Sequence, residues 1–240
     1  MCGRFAQIDA PQQLLNQLGG VMLEPLHLGY NVAPGGWAMA YRQGERAAQR
    51  QMVSLRWGLL PGWAKDAALG WRTSQARLES AAQKPAYRHA LRWRRCVVPV
   101  DGYYEWQGRQ EARQPWLIRH AQQQPLLLAG LWERWNDPRG HVVETFALLT
   151  AAAVGGVQSL HTRMPIMLIP SMVAPWLDPH LSEPTLFLQR QHQASVGFNL
   201  TMHPVTRRVN HTAFDEPTCL QPLSPGAWQQ AQSGQQGCLF

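Results

Sequence analysis

At 240 residues the chain suits one large domain or two small ones, and it is long enough to bury roughly 70 to 75% of its unfolded surface. With 45% hydrophobic and 15% charged residues, 18 prolines and 11 tryptophans, the composition excludes a disordered chain and argues against an all-helical one. Lys plus Arg outnumber Asp plus Glu by 22 to 15, and the net charge of +7 favours a polyanionic partner, nucleic acid first, although charge alone fits a merely soluble basic protein equally well.

The four cysteines (Cys2, Cys96, Cys219, Cys238) form no CxxC pair and no zinc-like spacing, so reduced thiols in a cytoplasmic setting are expected. Cys219 and Cys238 have no evident role. No apolar run approaches the ~18 residues of a membrane-spanning helix. Neither a membrane, a metal nor a cofactor is expected.

In chain order, "APQQLLNQLGG" (10–20) predicts a short helix with Pro11 at its start, Leu14, Leu15 and Leu18 as its apolar stripe, and Gly19 at its end. "YNVAPGGWAMAYR" reads as a turn over Pro34 to Gly36 feeding a strand through Met39 and Tyr41, and "QMVSLRWGLLPGWAKD" as a strand broken at Pro61 and Gly62. "SQARLESAAQKPAYRHALRWR" (74–94) is a helical window interrupted by Pro85, with Arg77 and Glu79 facing outward. "RRCVVPVDGYYEW" predicts a hairpin turning at Asp101 and Gly102. Further strands are expected in "QPWLIRH", "PLLLAGLWERW", "VVETFALLTAAA" and "MPIMLIP", a short helix in "SMVAPWLDP", and a late strand in "LTMHPVTRRVN". These elements predict a single α+β domain over 1–223, a curled and mostly antiparallel, barrel-like sheet with flanking helices. The Gln-, Gly- and Ser-rich tail, 224–240, is expected to be loosely ordered.

"MCGRF" sets a cysteine behind the initiator methionine, and cysteine is small enough for methionine aminopeptidase to remove Met1. The α-amine then exposed has a reference pKa of about 7.7 to 8.0, so a useful fraction is neutral at pH 7. It can condense with an aldehyde, and the Cys2 thiol can close on the product as a five-membered thiazolidine, helped by effective molarities of about 10⁵ M or more. Such chemistry needs a proton shuttle. Glu105 in "DGYYEW" would serve if burial among Tyr103, Tyr104 and Trp106 raises its pKa; the alternative is a strand glutamate facing water. "LHTRMP" points His161 and Arg163 to one face of an extended segment, an imidazole beside a phosphate-binding fork. Trp63 and Trp71, with Lys65 and Arg72, make an aromatic and basic loop suited to stacking on unpaired bases, although tryptophan is more often core.

The start "MCG" and the "HTR" segment resemble N-terminal-nucleophile glutamine amidotransferases, but that fold carries its "HTR" much earlier and needs asparagine-glycine and glycine-aspartate pairs that this sequence lacks. Eight segments in order, "MCGRF", "YNVAP", "RWGLLPGW", "QARLES", "CVVPVDGYYEW", "LLTAAA", "HTRMPIML" and "HPVTRRVN", resemble the SOS response-associated peptidase (SRAP) family, the abasic-site processing proteins that crosslink to abasic sites in single-stranded DNA. The resemblance implies that Cys2 attacks the ring-opened sugar and forms a thiazolidine crosslink. Glu105 matches the family's acid/base glutamate and His161 the histidine that assists ring opening and crosslink reversal. Arg4, Arg77 and Arg163 match arginines near the DNA backbone, Thr150 a polar contact, Gly3 a point of close DNA approach, and the Trp63 loop a wedge beside the lesion. Gln75 stands where the family carries an asparagine that orients the abasic sugar; glutamine keeps the amide but is one methylene longer. The implied protein is a monomer whose partner is abasic single-stranded DNA, with the replication machinery as a further candidate partner. Competing readings are a cysteine peptidase acting on its own N-terminus and a non-enzymatic nucleic-acid binder.

Overall fold

The computed structural model describes residues 3–44, 49–108, 113–194 and 197–229. In chain order its elements are β1 (Arg4–Gln7), α1 (Ala10–Leu18), β2 (Val21–Met22), β3 (Gly29–Val32), β4 (Trp37–Gln43), β5 (Arg50–Trp57), β6 (Gln75–Arg77), α2 (Leu78–Ala81), α3 (Arg88–Trp93), β7 (Arg95–Val100) and β8 (Gly102–Gln107). There follow β9 (Gln114–His120), β10 (Leu126–Asn136), β11 (Val142–Ala152), β12 (Arg163–Pro165), β13 (Met167–Leu168), α4 (Pro170–Leu177), α5 (Pro184–Ala194) and β14 (Leu200–Pro204).

Strands β4, β5, β11, β10 and β7 form a ring, closed by the parallel pairing of β5 with β11 at Arg56–Thr145 and Trp57–Phe146. The other ring pairings are antiparallel, so the barrel is mixed but mostly antiparallel. Side chains alternate between its two faces. Met39, Tyr41, Val97, Ala129, Leu131 and Leu149 pack with Leu14, Leu91 and Trp176 of the helices. Ala38, Leu55, Trp57, Val98, Leu128 and Phe146 take the other face and meet Phe5, Tyr103 and Ile118 of a second sheet. That second sheet is antiparallel, in the order β14-β9-β8-β1-β3. The expected single α+β domain with a barrel-like sheet is the fold observed, and no helix among the described residues is long and apolar enough to cross a membrane.

Three local expectations are corrected. β7 and β8 are not a hairpin: β7 pairs with β4 and β10, β8 with β1 and β9, so the chain changes sheets at Asp101. The Asp101 carboxylate instead accepts the N–H groups of Ile8 at 2.5 Å, Asp9 at 3.3 Å and Ala10 at 3.4 Å, capping α1 from a distant part of the chain. The helical window starts as a strand, because Gln75, Ala76 and Arg77 pair with Leu148, Leu149 and Thr150, and tertiary pairing outweighs local propensity. β5 ends at Trp57, before Pro61, and Gly58 follows it; with φ +127° and only 2.7 Å between an added Cβ and the Gly70 carbonyl oxygen, only glycine fits there.

Candidate functional site

A cleft of about 1000 Å³ opens where β1, β3 and β8 approach the loop before β12. Gly3, Arg4, Glu105, Trp106 and His161 line it, together with Asn31, Trp37, Trp71, Arg113 and Asp215. Cys2 lies outside the described residues; it is bonded to Gly3, and consecutive Cα atoms stand about 3.8 Å apart.

Strand alternation on β8 sets the division of labour. Tyr104 and Trp106 share the face of Arg4, which pairs with Tyr104 across β1. Glu105 points the other way, with Tyr103. It is 1% exposed, which overturns the water-facing alternative: β8 is a central strand and both its faces are covered. Burial pushes the Glu105 carboxyl up to about 7.

Arg4 extends along a built track. Its guanidinium donates to the Asn31 side-chain oxygen at 2.9 Å, to the Val209 carbonyl at 2.9 Å and to the Asn210 carbonyl at 3.4 Å. Burial, then the nearby charge of Arg113, lowers its pKa. Trp106 lies between two arginines, with Arg4 at 6.0 Å and Arg113 at 5.1 Å from its ring centre, and its indole N–H donates to Asn210 at 2.8 Å. Buried Asn31 also donates to the carbonyls of Val209, His211 and Phe214. Asp215 accepts the backbone N–H groups of Tyr30 and Asn31. These bonds hold the stretch from Val209 to Asp215, which continues the "VTRRVN" segment, against the cleft.

His161 sits before β12, and burial lowers its pKa. Arg163 does not enter the cleft lining; its guanidinium donates to the Thr150 carbonyl at 2.7 Å and hydroxyl at 3.3 Å, and to both carboxylate oxygens of Glu79 at 3.1 and 2.9 Å. Thr150 is fully buried between β6 and β12, opposite exposed Arg77. Gln75 is half-buried on the same strand as Arg77, and its carbonyl accepts the Tyr87 hydroxyl at 2.9 Å.

The predicted residues therefore fall into two adjoining groups. Gly3, Arg4, Glu105 and His161 meet in the cleft, while Gln75, Arg77, Thr150 and Arg163 form a polar and basic edge beside it, joined to the cleft where the Arg163 N–H bonds the His161 ring at 2.9 Å. Trp63 is 60% exposed but outside the cleft lining, whereas Trp71 and Trp37, at 63% and 47% exposure, line it. Asn31, Asp215 and Arg113 were not singled out from the sequence; the "YNVAP" segment marked Asn31 without giving it a task.

The family model described as "SOS response associated peptidase (SRAP)" matches residues 1–212. The chain belongs to the SRAP family. Among its relatives, the abasic site processing protein YoqW of Bacillus subtilis (strain 168) is 29% identical over 225 residues, covering 92% of this chain and 99% of that one. The abasic site processing protein YoaM of the same organism is 31% identical over 188 residues, covering 77% and 82%. A crystal structure of a protein from Bacteroides thetaiotaomicron superposes with a TM-score of 0.77 at 19% identity over 93% of this chain and all of that one, a likeness of fold.

Proposed function

We propose that the protein processes abasic sites in single-stranded DNA by covalent capture through Cys2 after loss of Met1. The observation that carries the reading is Glu105, a carboxyl buried to 1% exposure with a pKa near 7, lining the same cleft as Gly3 and His161. A proton shuttle poised near neutrality suits carbinolamine chemistry. The names of the relatives, abasic site processing proteins, point the same way.

In this scheme the Cys2 amine adds to the C1 aldehyde of the opened sugar. Glu105 supplies the proton with which the carbinolamine hydroxyl leaves as water. The Cys2 thiol then adds to the imine carbon, its proton passing to nitrogen, so the thiazolidine forms with net loss of one water. His161 assists ring opening and crosslink reversal, and Gln75 orients the sugar. Arg4, Arg77 and Arg163 hold the backbone, buried Thr150 serves that contact by fixing the Arg163 fork, Gly3 lets the strand approach, and Trp63 wedges it beside the lesion. Elimination from the imine would give a competing lyase outcome, and peptidase chemistry is confined to exposing Cys2. The functional domain ends at 223, the protein acts as a monomer in the cytoplasm near the chromosome, and the replication machinery would expose its substrate.

The test is incubation with an oligonucleotide bearing one abasic site, followed by a denaturing gel. A shifted band from the wild type and none from Cys2→Ala supports the reading; equal bands from both would discard it.

A further inference from the structure

Resting on that reading, we infer that Glu79 occupies the anion seat of Arg163 and so sets how tightly the protein holds intact DNA. The Arg163 fork is fixed along one edge by the Thr150 carbonyl and hydroxyl, and its other edge is taken up by the two oxygens of one carboxylate. A guanidinium presents the same fork to carboxylate and to phosphate, so Glu79 fills the place a DNA phosphate would take.

The arrangement favours exchange over blockade. The Glu79 side chain is 53% exposed while that of Arg163 is 16% exposed, so the acid is the outer and more easily hydrated member of the pair. With more than half of its side chain exposed, Glu79 can return to water as a phosphate takes up the same fork, so the two anions exchange on one seat. Exposed Arg77 lies on the strand leading into α2, directly opposite Thr150; against the opposing effect of burial, the Arg163 hydrogen bond and, least, the Arg77 charge hold the Glu79 carboxyl below its usual value. Glu79 thus stands between two arginines on the edge that adjoins His161. Its negative charge discounts the grip of Arg163 on any phosphate backbone, lesion or none, and leaves selection to the covalent step that only an aldehyde supports.

The test is binding of a lesion-free single-stranded oligonucleotide by fluorescence anisotropy across a salt series. Glu79→Gln is expected to bind about tenfold tighter at low salt, the worth of one charge-assisted contact, with a log–log salt slope steeper by about 0.7. Glu79→Ser should do the same, so misfolding of one variant does not decide the outcome. In an Arg163→Ala background, Glu79→Gln should change affinity less than about twofold. The inference is overturned by unchanged or weaker binding in both Glu79 variants, by an equal gain with and without Arg163, or by absence of wild-type binding at low salt. Covalent capture of abasic DNA, measured in parallel, separates the two ideas: an adduct without the affinity gain removes the inference alone, and the gain without an adduct removes the proposed function alone.

Discussion

The backbone N–H of Arg163 donates to Nδ1 of His161 at 2.9 Å. An amide N–H can only donate, so Nδ1 must offer a lone pair, and the 3.2 Å approach of Nδ1 to the Arg163 carbonyl is then no hydrogen bond. The neutral ring carries its proton on Nε2 and remains neutral at pH 7, because burial lowers its pKa.

Nitrogen-15 NMR of labelled protein should therefore show a pyrrole-type Nε2 and a pyridine-type Nδ1 on His161, titrating below the ordinary value of about 6.5. A protonated Nδ1 in the neutral ring would contradict the assignment.

Glu105 makes a second prediction, in pH. Its carboxyl titrates near 4.5 unperturbed and near 7 in the fold. The folded state holds this proton more tightly, so the associated stability is fully present below pH 4.5 and is lost as pH rises toward 7. Glu105→Gln removes that loss. Relative to wild type it should gain on the order of 2 to 3 kcal/mol at pH 8 and nearly nothing at pH 4, read by denaturant unfolding at both pH values. In the same variant, crosslinking should slow by about 100-fold or more, as expected when an acid/base group is lost. A gain over wild type no larger at pH 8 than at pH 4 would mean that Glu105 is not held in its neutral form.

Asn31 tests the scaffold of the cleft. It bonds Arg4 and three carbonyls between Val209 and Phe214. Asn31→Ala leaves those buried groups without this partner and should cost roughly 3 kcal/mol, measured by denaturant unfolding, with faster proteolysis within 205–215. A cost below about 1 kcal/mol would show that the segment is held by other means.

Much of this fold could be read from the sequence where period and punctuation agreed, as in α1 between Pro11 and Gly19. It failed where a distant strand decided the outcome. Gln75 to Arg77 look helical but pair with β11, and the turn at Asp101 looks like a hairpin but links two sheets. The site was legible in its residue types and not in its supports. Glu105 stood out in an aromatic setting, but strand alternation alone could not tell a buried carboxyl from an exposed one. Asn31 and Glu79 act through partners 178 and 84 residues away in sequence, and no local pattern announces such contacts.

Gln75 gives a fourth prediction. It lies on β6 beside Arg77, near Thr150, and differs from the asparagine that the family resemblance implies. Gln75→Asn should retain or increase the rate of crosslinking to abasic single-stranded DNA in a gel-shift time course. A large loss would show that the pocket has adapted to the longer amide.

The central claim, capture by the Cys2 amine and thiol together, is tested most directly by intact mass of the product formed with abasic single-stranded DNA. The expected species is the chain without Met1 plus the oligonucleotide minus one water, stable without a reducing agent and absent from Cys2→Ala. Protein shown by mass to begin at Cys2 that yields no such adduct would contradict it.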